Sequence, residues 1–536
     1  MDAQFLKKAL HKWPALQAVM SRLAENRWPC HIEGVQGGLH AFFLSECLST
    51  LPSPPIIVVP TEKDIELLAA DLSLAALQSE VFPWWGTMAY RPVAPGAAVF
   101  GQRSACLASL LSPSSASRIL VTTERALLTP VPPPQAFGAL LETVRVSDQF
   151  DPVSFAERLS AAGYLRVPRV TVKGEFALRG EVLDIFLPGD VDAHRIVFDF
   201  DRISAIKAFN PEDQSSTGAV SSLTIYPARE LLWTEERIAT LEATLTALPE
   251  FSERSACIIE HLRERGGFEG EELFYPLAWE GKHSILDYLG SDRTVIYVDF
   301  DRQENARESL EREYLGLYRK HRGAGGESER FPLLAEVPDP SHELLDFRSV
   351  TESFERSIYL RTIHRDQHAD SDRVRLSCDP PRSFFGNMVF FREELATLIK
   401  DGWRVVVFAE SEHQAARVAE IIKDETIDIL PLAISTGFGV PDLKLLIIQE
   451  GEIFGRRRHI PRSVKHAKSA VIDTFVELNP GDYVVHVNYG IGRFEGIERV
   501  RAMGNERDYI KIMYADEETV FIPIEQVNLV QRYIGS

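Results

Sequence analysis

Between Cys30-His31-Ile32-Glu33 and an apolar stretch opening at Leu39, the chain runs Gly34-Val35-Gln36-Gly37-Gly38-Leu39-His40-Ala41. Strand, glycine turn and helix in that order are the setting of a phosphate-binding loop: glycines let backbone approach a phosphate, and the helix N-terminus turns free N–H groups towards it. Phosphoryl transfer needs two groups more, a lysine reaching the β- and γ-phosphates and a Ser/Thr hydroxyl for Mg²⁺. Neither lies in this stretch, and no Gly-x-x-x-x-Gly-Lys-Ser/Thr occurs elsewhere. The loop therefore reads as one kept for packing, with a residual anion site at the helix N-terminus as the alternative.

Other candidate chemistry is thin. Glu450-Gly451-Glu452 follows the apolar run Leu443 to Gln449, where a motor's acidic metal ligand would stand, but with no phosphate loop in the same unit a solvated turn is expected. Asp184, Asp199 and Asp201 fit alternating strand positions and turn caps better than a carboxylate cluster. The histidines have no ligand spacing. Trp84-Trp85, between Pro83 and Gly86, reads as a buried loop anchor rather than a base-stacking platform. The five cysteines, Cys30, Cys47, Cys106, Cys257 and Cys378, are scattered and odd in number, which points away from disulfides and zinc and towards a reducing compartment. A formal charge of −20 argues against the whole chain clinging to nucleic acid by neutralising phosphates; protein partners with basic faces fit better. No apolar stretch approaches ~18 residues and the start is not signal-like, so a cytoplasmic location without membrane contact is expected.

The elements that must position these residues make a multidomain α/β chain. Residues 1–130 alternate strand and helix around the degenerate loop, with Ile56 to Pro60 and Ile119 to Thr122 as parallel strands and a helix opened by Thr61 with Asp64 three residues on. Pro130-Val131-Pro132-Pro133-Pro134 marks a boundary. Residues 131–228 are an α+β insertion with strands at Val170 to Val172, Glu181 to Phe186, Arg195 to Phe200 and Ile203 to Phe209, turning at Asp201-Arg202. Residues 229–345 return to α/β text, with Thr294 to Val298 a buried strand before a charged helix, Arg302 to Arg322. A further α/β unit fills 346–455, with strands Arg404 to Phe408 and Leu443 to Ile448 around a helix from Ser411 to Lys423. Residues 456–476 form a basic linker helix carrying Arg456-Arg457-Arg458-His459, Arg462, Lys465 and Lys468, with contact to nucleic acid or an acidic protein surface as the alternative to plain solvation. Residues 477–536 hold four or five short strands with glycine bends, a hairpin loop at Gly504 to Arg507 and Pro523 ending the ladder; they can bury an apolar face only by curling into an SH3-like or Tudor-like β-barrel.

In that last segment Gly481-Asp482-Tyr483-Val484-Val485-His486-Val487-Asn488-Tyr489-Gly490-Ile491-Gly492-Arg493-Phe494, then Asp508 to Ile512, Tyr514-Ala515 and Phe521-Ile522-Pro523, resembles the RNA-polymerase-interacting module of the bacterial transcription-repair coupling factors (the Mfd family), a module shared with CarD-like transcription regulators. The glycine loop resembles that of the excision-repair helicase UvrB, and in that likeness His40 stands at the lysine position and Ala41 at the hydroxyl position. Gly163 to Val167 and Lys173 to Phe186 resemble the UvrB domain that binds UvrA; Arg166 and Arg179 match interface arginines, Ala177 replaces a third, and Arg169 is its candidate substitute.

The resemblance implies a non-catalytic adaptor that binds the RNA polymerase β subunit and offers UvrA a surface. It implies no cofactor in this chain, with ATP, Mg²⁺ and double-stranded DNA belonging to a translocase motor C-terminal to the module in a longer parent. Residues 1–536 would then be its N-terminal half, a natural motorless homologue being the alternative. Two other readings stand against the adaptor: a CarD-like regulator using only the barrel, and an ATP-dependent helicase or translocase in its own right. Ile497, Arg499 and Val500, on the strand after the glycine bend, are the expected polymerase contacts by strand addition, against plain core positions for Ile497 and Val500. Tyr489, Gly490, Gly492 and Phe494 are expected to be architecture.

Overall fold

Consecutive apolar runs such as Ile56–Val59 and Val295–Tyr297 can be buried only in a sheet covered on both faces. In a computed structural model of the chain they are neighbouring strands of a seven-stranded sheet. The structure describes residues 4–532 except 91–94, 96, 113–117, 252–254, 269, 324–335, 363–372, 385, 425, 455–479, 487–489, 503–504, 515–518 and 524–529.

Across the seven-stranded sheet the order is Arg373–Arg375, Cys30–Glu33, Ser357–Arg361, Val295–Tyr297, Ile56–Val59, Ile119–Thr123 and Ser79–Phe82, every pair parallel. Side chains alternate between two cores: Ile56, Val58, Val295 and Tyr297 face one, Ile57, Val59, Ile296 and Val298 the other. Ser357–Arg361 and Arg373–Arg375 flank the glycine-loop strand here, whereas the sequence reading put both in the 346–455 unit. Long-range parallel pairing leaves no local signature from which their membership could be read. Thr61 caps the helix Glu62–Leu74, its hydroxyl accepting the Asp64 N–H, as the spacing predicts.

The second core continues into a four-stranded sheet ordered Asp428–Leu430, Arg404–Phe408, Leu445–Gln449, Phe438–Val440. Val406, Phe408, Leu445 and Ile447 pack into that shared core, while Val405, Val407, Leu446 and Ile448 face a separate one. This unit is thus fused to the first sheet through apolar contact.

Between the strands of the first sheet lies an insertion. Its six strands run in the order Ser216–Val220, Arg202–Phe209, Ala193–Asp199, Val182–Ile185, Glu175–Arg179, Leu165–Arg166, antiparallel except for the last pair. One face, with Phe176, Leu183, Ile185, Ile196 and Ile206, joins the first core. The strand expected at Val170 to Val172 is a turn, because the Glu175 carboxylate accepts the N–H groups of both Thr171 and Val172 at 2.9 Å. The Ala193–Asp199/Arg202–Phe209 hairpin turns at Phe200-Asp201, one residue before the expected Asp201-Arg202. Trp85 is buried, as expected of a loop anchor: its indole N–H donates to Glu230 at 2.9 Å, and the fully buried Arg103 donates to both oxygens of the same carboxylate.

The C-terminal segment is a five-stranded antiparallel sheet, ordered Thr519–Pro523, Asn505–Met513, Gly490–Ala502, Tyr483–His486, Val530–Arg532. Among the described residues its outer strands do not pair with one another, so what is seen of the expected barrel is a sheet over a small core of Val484, Phe494, Ile510, Ile512, Ile522 and Val530. The hairpin arms are longer than expected: Ala502 pairs with Asn505, so most of the loop expected at Gly504 to Arg507 is strand. The basic linker run, Arg456 to Lys468, lies outside the described residues.

Candidate functional site

At the glycine loop the structure answers where the backbone donors point. Gly34 N–H donates to Arg361 O at 2.7 Å, Gly38 N–H to Thr436 O at 3.3 Å, Leu39 N–H to Gln36 O at 3.2 Å and His40 N–H to Gly37 O at 3.2 Å. A Cβ on Gly37 would lie 2.6 Å from Thr436 Oγ1, and one on Gly38 would lie 2.7 Å from both Ile434 Cδ1 and Thr436 O. The turn 434–437 of the four-stranded unit thus sits against the loop, and only glycine fits there. His40 and Ala41 are buried at the start of the helix Leu39–Cys47. His40 Nδ1 lies 3.0 Å from Gly37 O, and its Nε2 stands 3.7 Å from Asp299 Oδ1, too far for a hydrogen bond.

Asp299 was missed in the sequence. It follows the strand Val295–Tyr297, two strands across the sheet from the loop strand, where an active nucleotide site keeps its metal-facing acid. Here its Oδ1 accepts the Thr362 hydroxyl at 2.6 Å and its Oδ2 lies 3.4 Å from Arg302 Nη1, which also reaches Asp64 at 3.0 Å. The signal was available: a buried strand ending in Asp-Phe-Asp. Glu450 to Glu452, considered for that place instead, is not a solvated turn. It opens the helix Glu450–Phe454, and Glu452 accepts Gly437 N–H at 2.7 Å and Gln449 N–H at 3.0 Å. Burial pushes the Glu452 carboxyl up to about 7, against the opposing effect of the two backbone donors.

On the outer face of the insertion, Arg179 sits at the end of the strand Glu175–Arg179, beside the Gly180-Glu181 turn. Its Nη2 donates to Asp184 Oδ2 at 3.0 Å, with the arginine side chain 52% exposed and the aspartate 2% exposed. Arg195 grips the same carboxylate twice, Nε at 2.7 Å and Nη2 at 2.9 Å. Two guanidinium groups on one carboxylate leave a net positive charge, and the singly bonded Arg179 keeps donors free for a partner. Arg166 is exposed on the edge strand Leu165–Arg166, paired opposite Phe176. Arg169 is exposed in the following turn and reaches Glu212 O at 3.4 Å. Arg166, level with the core-facing Phe176, and Arg179, on the face of Ala177 and Asp184, thus lie on opposite faces of the sheet, and Arg169 lies in the turn beyond its edge. Ala177 is buried under Val170 in a small cluster with Phe186, Ala193 and Phe209, so the position offers a partner nothing.

In the C-terminal sheet, Ile497, Arg499 and Val500 lie on the strand Gly490–Ala502, opposite Ile510, Asp508 and Arg507; their side chains lie outside the described residues. Gly490 to Arg493 of this strand pair with Tyr483–His486, and Phe494 still exchanges backbone hydrogen bonds with Gly481 and Asp482, so beyond Phe494 the described ladder is one-sided. A register shift between Phe494 and Gly496, with Gly496 at φ 131°, bends the strand where the overhang begins. Gly492 is held by packing, since a Cβ there would collide with Ile512 Cγ2, and Phe494 is buried. Tyr489 lies outside the described residues.

Among the described residues no helix is long and apolar enough to cross a membrane, and no group of three or more His, Cys, Asp or Glu is placed to hold a metal ion.

Two family models match: the UvrB interaction domain over residues 143–231 and the CarD-like/TRCF RID domain over residues 478–534. The transcription-repair-coupling factor of Borreliella burgdorferi is 28% identical over 508 residues, covering 94% of this chain and 43% of the relative. That of Bacillus subtilis is 27% identical over 457 residues, covering 78% of this chain and 38% of the relative, and that of Staphylococcus aureus is 26% identical over 436 residues, covering 74% and 36%. The chain therefore spans less than half the length of these relatives. Both domain types thus lie in one chain, and the similarity to these transcription-repair-coupling factors runs through them.

Proposed function

We propose that this chain is the non-catalytic adaptor portion of transcription-repair coupling, binding the RNA polymerase β subunit through residues 477–536 and recruiting UvrA through the insertion. The observation that carries the reading is the coexistence of the two matched domain types, residues 143–231 and 478–534. On the insertion, UvrA meets Arg179, with the surplus charge of the Arg179–Asp184–Arg195 triad as the electrostatic anchor, and reaches Arg166 and Arg169 at the sheet's edge. On the C-terminal sheet, which we read as rolling into an SH3-like barrel, the polymerase adds to the one-sided ladder around Ile497, Arg499 and Val500. The absence of turnover is supported by a glycine loop four of whose backbone donors, Gly34, Gly38, Leu39 and His40, are bound internally and against which Thr436 is packed. ATP, Mg²⁺ and duplex DNA are then the concern of a motor elsewhere in the full-length protein.

Pull-down with purified partners tests this. Arg179→Glu should lose UvrA and keep polymerase; Val500→Arg should lose the β subunit and keep UvrA. Retention of both partners by either variant rejects the corresponding surface, and DNA-stimulated ATP hydrolysis by residues 1–536 rejects the non-catalytic reading.

A further inference from the structure

Phe200 is 81% exposed and takes φ 58°, at the first of the two central positions of the Asp199/Arg202 hairpin. Both properties run against ordinary chain chemistry. Glycine, asparagine and aspartate are the residues that enter left-handed turns readily, and a solvated aromatic ring gains nothing from burial. No packing within the fold repays the arrangement, and an unfavourable conformation held at a surface tip is a reason to look for a ligand.

The tip's position says which surface it belongs to. Phe198 N–H donates to Glu181 O at 2.8 Å, so the Phe200 turn stands beside the Gly180-Glu181 turn that follows Arg179. Strands Glu175–Arg179 and Ala193–Asp199 are separated by the strand Val182–Ile185 alone, putting the Arg179 and Phe200 ends on the order of 10 Å apart at ordinary strand spacing. Phe150 N–H donates to Asp201 O at 2.7 Å, which brings the start of the helix Pro152–Ala161 alongside, with Val153 58% exposed. Glu181, Asp199 and Arg202 surround this apolar centre with polar groups. An aromatic centre inside a polar rim, next to a half-bound arginine, is the composition of an interface anchor.

We infer that Phe200 inserts into an apolar pocket of UvrA while Arg179 engages carboxylates beside it, so that the two adjacent hairpin tips form one docking footprint. This rests on the reading of the insertion as the UvrA-binding domain.

The test uses the full chain against immobilised UvrA, with Phe200→Asn, Arg179→Glu and, as a control, Val191→Asn, an 87% exposed apolar residue just before the opposite end of the strand Ala193–Asp199. Asparagine tolerates the left-handed conformation, so Phe200→Asn should leave Tm unchanged or raise it while weakening binding by about tenfold or more. Val191→Asn should bind as wild type. Wild-type binding by Phe200→Asn with loss in Arg179→Glu overturns the inference and leaves the adaptor reading intact; wild-type binding by both overturns both. A Tm below wild type for Phe200→Asn, or equal loss in Val191→Asn, makes Phe200 a structural or nonspecific contributor and also overturns the inference.

Discussion

The glycine loop and the hairpin tips of the insertion both carry residues of the kind that bind anions, and they treat their donors in opposite ways. At the loop, Gly34, Gly38, Leu39 and His40 donate to backbone carbonyls of the chain itself, and Thr436 stands where a ligand would need room. At the tips, Asp184 is doubly held by Arg195, so Arg179 contributes one hydrogen bond and remains half exposed. A binding surface is recognised by the polar groups a fold leaves available, and residue types alone do not reveal that.

The largest expected effect comes from disturbing the arginine triad. Arg195→Leu leaves Asp184 with Arg179 alone, and removing one partner of a buried pair costs about 3 kcal/mol. Urea unfolding should report that loss. Arg179, drawn fully onto Asp184, should also capture UvrA less well, and unchanged capture would mean that its free donors do not matter. Next, Gly38→Ala drives a methyl group into Ile434 and Thr436 and should destabilise the junction of the two α/β units by about 2 kcal/mol in the same assay.

Glu452, which supports Gly437 behind that turn, gives a pH-dependent version of the same test. Its carboxyl is raised from 4.5 to about 7 by burial, so its contribution is complete below about 4.5 and is lost as pH rises through about 7. Stability should fall by roughly 1 to 3 kcal/mol between pH 5 and pH 8, and Glu452→Gln should flatten the profile. The smallest effect should come from restoring the missing side chains: His40→Lys with Ala41→Ser should give no ATP hydrolysis, because Gly34, Gly38, Leu39 and position 40 keep their backbone donors bound within the chain and Thr436 still fills the space. Turnover by that variant would break the contrast between the two regions.

Local chemistry was legible in the sequence. Thr61 and Ser411 cap the helices they were expected to open, and Arg404–Phe408 is the strand its apolar run predicts. What was not legible depends on distant partners or on a residue acting against its type. Glu452 looks solvated until Gly437 and Gln449 donate to it, and Asp299 becomes part of the loop site only when the sheet order brings it near His40. Turn chemistry placed the hairpin bend on Asp201, and the fold places a phenylalanine there first. The arginines were identifiable by likeness, but Arg195, which governs how much of Arg179 is free, has no signature beyond its strand position.

Among the described residues the ladder beyond Phe494 is one-sided, and that carries a liability of its own. A bare strand margin has no means of telling a partner's segment from the same segment of another copy, and unguarded margins lead proteins into edge-to-edge aggregation. The sequence places Glu498, Arg499 and Arg501 along this stretch, so like charges meet when two copies pair parallel and in register. Solubility of the concentrated chain therefore depends on the residues that line its adhesive margin, and neutralising them would trade a selective surface for a self-associating one.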